Sequence, residues 1–549
     1  MRLKTVINVA LTLFITSINA QQPVFTRQDT LRGSITNERV WWDLTHYDLD
    51  LKIDIPTKSI QGTNTITYRV LQENNQLMQI DLQPPMKISS VKQDGNSLTY
   101  RRDGNVYYIK LNNIQQVDSI KKLTVDFEGI PAISNNPPWD DGFTWGTDKN
   151  GNDFIATTCQ GGGASIWWPC KDHMYDEPEN GIKLSITTPD HLIGVANGRL
   201  KNTFKNGDKT NTYVWQVENP INNYGININI GDYVHFSDKY KGEKGSLDCD
   251  YFVLSYNLDK AKKQFEQAPK MLKAFEYWFG PYPFYEDSFK LVEVPYLGME
   301  HQSSVTYGNE YKNGIRGKDL SSTGWGLKFD FIIIHESGHE WFANNITYKD
   351  IADMWIHEGF TAYSENLYLD FYYGTEASNA YVTGTRRLIR NDRPIIGYYN
   401  VNRSGSGDMY YKGSNMLHTL RQIVNNDEKW RAILRGLNLD FYHQTVTTQQ
   451  IENYLSKHIG IKLKPFFDQY LRTVLIPKFE YQIKGKQFLY RWSNVVNDFN
   501  MPIKVTINDQ NQWLSPTETW QKLDIASKNI TVKTDNNFYI DVDDFTINN

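Results

Sequence analysis

Residues 331–371 read FIIIHESGHEWFANNITYKDIADMWIHEGFTAYSENLYLDF. His335-Glu336-Ser337-Gly338-His339 is followed by eighteen residues and then Glu358, inside His357-Glu358-Gly359-Phe360. On a helix, positions four apart lie roughly 40° apart around the axis and about 6 Å along it, so two imidazoles can share one ion. Two neutral imidazole nitrogens and a carboxylate oxygen suit Zn2+, and three protein ligands leave a fourth position for water. Glu336, between the histidines, is placed to be the base that takes that water's proton. The bland alternative is a buried helix with two satisfied histidines. Against it, Ile332, Ile333 and Ile334 carry the first segment into a core, as a dry metal site needs. Met354, Trp355, Ile356, Phe360, Ala362 and Tyr363 give the Glu358 segment an apolar body that can pack on it.

At 549 residues the chain exceeds a single core, so two to four domains are expected. Charged residues at 22 %, hydrophobic at 40 % and aromatic at 14 % exclude a disordered chain. A net charge of −5 offers no basic face, and no nucleic-acid partner is expected. Met1–Ala20 reads as a signal peptide, with Arg2 and Lys4 before an apolar run from Val6 to Ile18. That run is too short to span a bilayer, so the expectation is an exported, soluble (periplasmic or secreted) protein with no stable transmembrane anchor. Three cysteines, Cys159, Cys170 and Cys249, make no disulfide framework. One Cys159–Cys170 bridge and buried free thiols stay equally open. Of the Asn-x-Ser/Thr triplets at Asn345, Asn402 and Asn529, Asn345 is a poor glycan site so close to the second histidine.

Working outward, an extended leader is expected to about Asn37. Tyr47, Leu49, Leu51, Ile53 and Ile55 then alternate with polar residues, as do Ile66, Tyr68 and Val70, and Ile226, Ile228 and Ile230. Period two with turns between predicts a β domain over 21–236. Phe265, Ala268, Leu272 and Phe275 change to helical spacing, and Gly280-Pro281 stops that helix. Helical patterns continue to about 475, through Leu417/Leu420/Val424, Trp430/Ile433/Leu434/Leu437 and Phe466/Phe467/Tyr470/Leu471. Residues 237–475 are therefore expected to be a mainly helical, metal-bearing domain. Alternation returns with Phe479/Tyr481/Ile483, Phe488/Tyr490/Trp492 and Ile503/Val505/Ile507, predicting a small β-sandwich over 476–549. The class is multidomain α+β.

Three further segments stand at set distances from the histidines. Leu297-Gly298-Met299-Glu300-His301 precedes them, and alone reads as a plain edge strand. Met409-Tyr410-Tyr411-Lys412-Gly413 follows Glu358 and opens a helix. Thr158-Cys159-Gln160-Gly161-Gly162-Gly163 and Trp167-Trp168-Pro169-Cys170-Lys171-Asp172 form a glycine-rich, aromatic bend in the β domain. Together these segments resemble the alanyl/leucyl aminopeptidase family of zinc peptidases, which also contains leukotriene hydrolase. The resemblance runs from about Trp42 to the C-terminus. It implies a saddle-like β domain, a thermolysin-like catalytic domain and a β-sandwich. The helical array that usually follows is expected to be absent, leaving a more open cleft.

Carried over position by position, the resemblance implies that His335, His339 and Glu358 bind one Zn2+ per chain and that Glu336 is the general base. It implies that Glu300 and Gln160 hold a free α-ammonium, that Gly298 and Met299 line the substrate, and that Tyr410 stabilises the oxyanion. A fixed anion selects cationic chain ends over internal bonds, so the implied partners are peptides with a free N-terminus. Four departures from the family pattern are visible: Leu297 for Gly, His301 for Asn, His357 for Asn, and Glu340 for Gln, the last adding a carboxylate near the metal. Tyr411 competes with Tyr410, and the Tyr-x-Lys-Gly frame selects Tyr410. The expected function is an exported zinc aminopeptidase. The alternatives are a zinc endopeptidase, a lipid-epoxide hydrolase on the same metal, and a binding module on an inactive scaffold.

Overall fold

The computed structural model describes residues 24–73 and 76–546. The leader expected over 1–20 lies outside them. Alternation becomes sheet as the pattern requires. Trp42–Asp54 pairs antiparallel with Ser59–Val70, Tyr47 opposite Ile66, and Tyr47, Leu49, Leu51 and Ile53 are all buried. On its other edge Trp42–Asp54 runs parallel to Ile182–Pro189. These strands lie within an eight-stranded sheet. Beside it are a four-stranded sheet containing Gly142–Thr147, Asp153–Thr158, Ile193–Ala196 and Ile228–Gly231, and a three-stranded one. One apolar core joins them.

The segment before this sheet is not extended as expected. Arg27–Gly33 is a helix with a capping box, the Thr26 hydroxyl accepting from Asp29 N–H while Asp29 accepts from Thr26 N–H. Asn37–Val40 adds a further turn. Buried Arg39 ties both down, bonding the Leu31 and Ser34 carbonyls and the Asp81 carboxylate at 2.7 Å.

A five-stranded mixed sheet follows, from Tyr233–Gly242 and Gly245–Leu254 through Phe289–Glu293 to Val305–Tyr307 and Gly298–Met299. The helical spacing at 265–275 proves to be two helices, Leu258–Gln264 and Gln267–Phe279, with Phe265 capping the first. The stop at Gly280 holds, with φ +97 there. Phe331–Gly338, Trp355–Tyr373, Thr375–Gly384, Tyr411–Val424, Asp427–Asp440, Thr448–Ile459 and Lys464–Arg472 are the main helices beyond. Among the described residues no helix follows Arg472; two small sheets do, carrying the alternations at 479–492 and 503–507. Phe479, Trp492 and Ile503 share one continuous core with Ile333, Phe467 and Leu417. Cys159, Cys170 and Cys249 are buried free thiols, so the thiol reading replaces the bridge. Asn345 is buried, its amide donating to Asn438. No helix among the described residues is long and apolar enough to cross a membrane.

Candidate active site

The first helix of the motif, Phe331–Gly338, is capped by Asp330, whose carboxylate accepts from Ile332 N–H at 3.1 Å. Every residue from Ile332 to His339 is buried. His339 caps it with helical dihedrals, so the four-residue spacing survives, and the chain then breaks out of the helix at Phe342 and Ala343. That break has a use. It swings the Phe342 carbonyl back onto His339, which donates from Nδ1 at 3.0 Å. His335 Nδ1 meets Glu365 Oε1 at 2.7 Å, and Glu365 also accepts from the Tyr381 hydroxyl. With each Nδ1 engaged, both Nε2 atoms turn toward Glu358 Oε2, at 3.8 Å from His335 and 3.4 Å from His339. The His335, His339 and Glu358 ligand atoms lie within 4.8 Å of one another, and Glu358 Oε2 is buried without a hydrogen-bond partner. Two imidazole nitrogens and an orphaned carboxylate oxygen converging in a buried place are the donor set of a divalent metal.

Close backbone approaches bring the other segments in. Gly413 sits against Gly359: a Cβ on Gly413 would stand 3.0 Å from the Gly359 Cα. The Tyr411–Val424 helix can therefore lie directly on the Glu358 helix, with Tyr410 at its N-cap. The Tyr410 ring lies 6.0 Å from His335, nearly parallel to it. Gly298 has a comparable duty, since a Cβ there would come within 2.6 Å of Ile332. The Gly298–Met299 edge strand thus lies on the histidine helix and delivers Glu300. Gln160, from the glycine-rich bend, donates to Glu300 Oε1 at 2.6 Å and approaches Glu358 Oε1 at 3.4 Å. All nine sequence-selected residues, Gln160, Gly298, Met299, Glu300, His335, Glu336, His339, Glu358 and Tyr410, line one cleft of about 500 Å3.

Carboxylates crowd the cleft. Burial pushes Glu336 up to about 7, with Glu300 and Glu358 adding to the shift and the two histidines opposing it. Burial likewise raises Glu300. Burial alone would lower His335, but the neighbouring Glu358 and Glu365 carboxylates more than offset it and hold it well above its ordinary value. Glu358 moves down despite burial, through His339 and His335. Burial and the Glu358 and Glu300 charges keep the Tyr410 hydroxyl protonated. Three carboxylates facing two histidines make a place for positive charge.

Two departures read from the sequence resolve differently. Glu340 was expected to add a carboxylate near the metal. It turns away and accepts from Ser303 N–H at 2.8 Å, with burial pushing it up to about 8. His301 is buried beside Thr306, its Nδ1 at 3.4 Å from the hydroxyl. Sequence reasoning missed Glu365, although it lies two helical turns beyond Glu358 on the same face, where i, i+7 spacing could have found it. It also missed Trp139, Asp141 and Ser404, loop residues of the cleft that carry no periodic signal.

Comparison with known proteins identifies the family. The Peptidase family M1 domain matches residues 263–470 and the Peptidase M1 N-terminal domain residues 44–224. The chain belongs to peptidase family M1. It is 21 % identical over 516 residues to a probable aminopeptidase 1 of Sulfurisphaera tokodaii, covering 89 % of this chain and 61 % of that one. Leukotriene A-4 hydrolase of Xenopus laevis is also 21 % identical, over 448 residues, covering 77 % and 69 %. The M1 zinc metallopeptidase structure from Deinococcus radiodurans superposes with a TM-score of 0.68 at 18 % identity, covering 80 % of this chain and 95 % of that one. The chain spans 61 % and 47 % of the two Sulfurisphaera tokodaii aminopeptidases that it matches.

Proposed function

We propose that this chain is an exported zinc aminopeptidase that removes the first residue from peptides with a free N-terminus. The observation that carries the reading is the pairing of a metal-ligand triad with a buried carboxylate, Glu300, bonded to Gln160 across the same cleft. The orphaned Glu358 Oε2 and the two inward Nε2 atoms fit Zn2+, with Glu365 and the Phe342 carbonyl fixing both tautomers. When bound, zinc supplies Lewis acidity, polarising the scissile carbonyl and making water acidic enough to be deprotonated near neutral pH. Glu300 receives the substrate's α-ammonium, which sets the first peptide bond over the triad. Glu336 takes the proton of the attacking water and returns it to the departing amine, a role its buried place between the two histidines supports. Tyr410, kept protonated, donates to the carbonyl oxygen as it gains charge. Gly298 and Met299 line the path of the substrate backbone. The pattern of residues 1–20 supports export, and no helix among the described residues is long and apolar enough to cross a membrane. We take 21–236, 237–475 and 476–549 as the three mature domains.

Glu336→Gln separates base from ligand. The variant is expected to keep one zinc per chain by metal analysis and to lose turnover by at least ~10²-fold. Retained turnover at full zinc content would remove Glu336 from the base role.

A further inference from the structure

Behind the anchor lies a hydrogen-bond chain that the catalytic roles above do not use. His357 is fully buried one position before Glu358, and the Tyr348 backbone N–H donates to its Nε2 at 2.9 Å. A ring nitrogen that accepts an N–H carries no proton, so the single proton of this neutral ring sits on Nδ1. Nδ1 faces the buried Tyr224 hydroxyl at 3.5 Å and donates to it. The hydroxyl's own hydrogen is then left for Glu300 Oε1, 3.2 Å away. The direction of the whole chain is thus set at its far end by one backbone N–H. Gln160 donates to the same Oε1, so both side-chain donors converge on one oxygen of the carboxylate. Tyr348 and Tyr224 flank the His357 ring, with centroids at 4.1 Å and 6.5 Å, and leave it little freedom to flip.

We propose that Tyr224 and His357 are positioning residues for amine recognition, a relay from the Tyr348 N–H that holds Glu300 in one rotamer as a hydrogen-bond acceptor for the substrate's α-ammonium. The proposal rests on Glu300 being the amine anchor. It gives His357, where the family commonly has Asn, a task beyond filling the core: both residues can present a donor at the Nδ1 position, and only histidine also satisfies Tyr348.

Two metal-chelating inhibitors read the anchor by itself. L-leucine hydroxamate and its des-amino twin, 4-methylpentanoic hydroxamate, differ only by the ammonium, so the ratio of their inhibition constants isolates its recognition. Tyr224→Phe should lower that ratio about tenfold, the scale of one hydrogen bond to a charged group, and raise KM more than it lowers kcat on leucine anilide. His357→Gln keeps an acceptor for Tyr348 and gives up the donor; it should behave like Tyr224→Phe with an unchanged melting temperature. His357→Asn keeps the donor and abandons Tyr348; it should restore the parent ratio and lose melting temperature instead. Glu300→Gln is the control and should abolish most of the ratio. The relay is overturned if Tyr224→Phe and His357→Gln keep the parent ratio while Glu300→Gln loses it, or if ratio and melting temperature fall together in both His357 variants. A parent-like ratio in Glu300→Gln overturns the anchor itself, and the relay with it.

Discussion

Glu365 touches no substrate, yet it decides which nitrogen His335 can offer. Its carboxylate accepts the Nδ1 proton at 2.7 Å and is held in turn by Tyr381. Such a carboxylate–histidine pair raises ligand basicity and fixes the ring, so Glu365→Gln is expected to weaken zinc binding about 10- to 100-fold. Competition against a graded chelator series measures this directly; parent-like affinity would make Glu365 a packing residue only. At this scale the sequence was legible where chemistry is local. The two histidines lie four apart at helical spacing and Glu358 follows on the next helix, all within one 41-residue stretch, so a short sequence motif joins them. Tyr224 and His357 meet across 133 positions and Gln160 and Glu300 across 140, and no periodicity encodes such pairs. Gln160 and Glu300 came only through resemblance, and Tyr224 did not come at all.

Among the elements, the three segments at the site meet through glycines rather than complementary side chains. Gly359 on Gly413 and Gly298 on Ile332 set the spacing of strand and helices, which is why Gly-containing motifs flank both Glu300 and Tyr410. The 171–178 loop sets Glu177 against Thr347 of the Ile346–Tyr348 strand. Within it, burial pushes Glu177 up to about 8, opposed by Thr347 and reinforced by Asp176. Its ordinary value is 4.5, so folding takes up a proton. The contribution to stability is fullest below that value and falls as pH rises toward about 8. Glu177→Gln cannot titrate, and its melting temperature is expected to change less than the parent's between pH 5 and 8. Parallel pH profiles for the two proteins would show that Glu177 is ionised throughout. The alternating strands and the Gly280 helix stop were readable from period and punctuation. The split at Phe265 was not, because an apolar residue serves equally in a helix and at its end. The Thr26/Asp29 capping box was readable and overlooked.

For the whole molecule, the cleft is an inter-domain product. The β domain supplies Gln160 and Trp139, and the helical region supplies the triad, Glu300 and Tyr410. The Arg27–Gly33 helix braces it from the far side, Arg32 donating to the Gly161 carbonyl at 2.8 Å and Asn402 N–H to the Asp29 carbonyl at 3.2 Å. The order of β, helical and β regions was legible because hydrophobic period changes with each. Their mutual placement was not, because it depends on contacts between residues far apart in sequence. That placement puts the Glu300 carboxylate beside His335, His339 and Glu358, the pairing on which the proposed function rests. The most direct test takes the chain from Gln21 onward and a panel of aminoacyl-anilides, each beside its N-acetylated twin, before and after chelation and zinc add-back. The expected result is turnover of the free-amine substrates only, abolished by the chelator and restored by zinc. Equal cleavage of the acetylated twins, or turnover that survives complete removal of the metal, would contradict it.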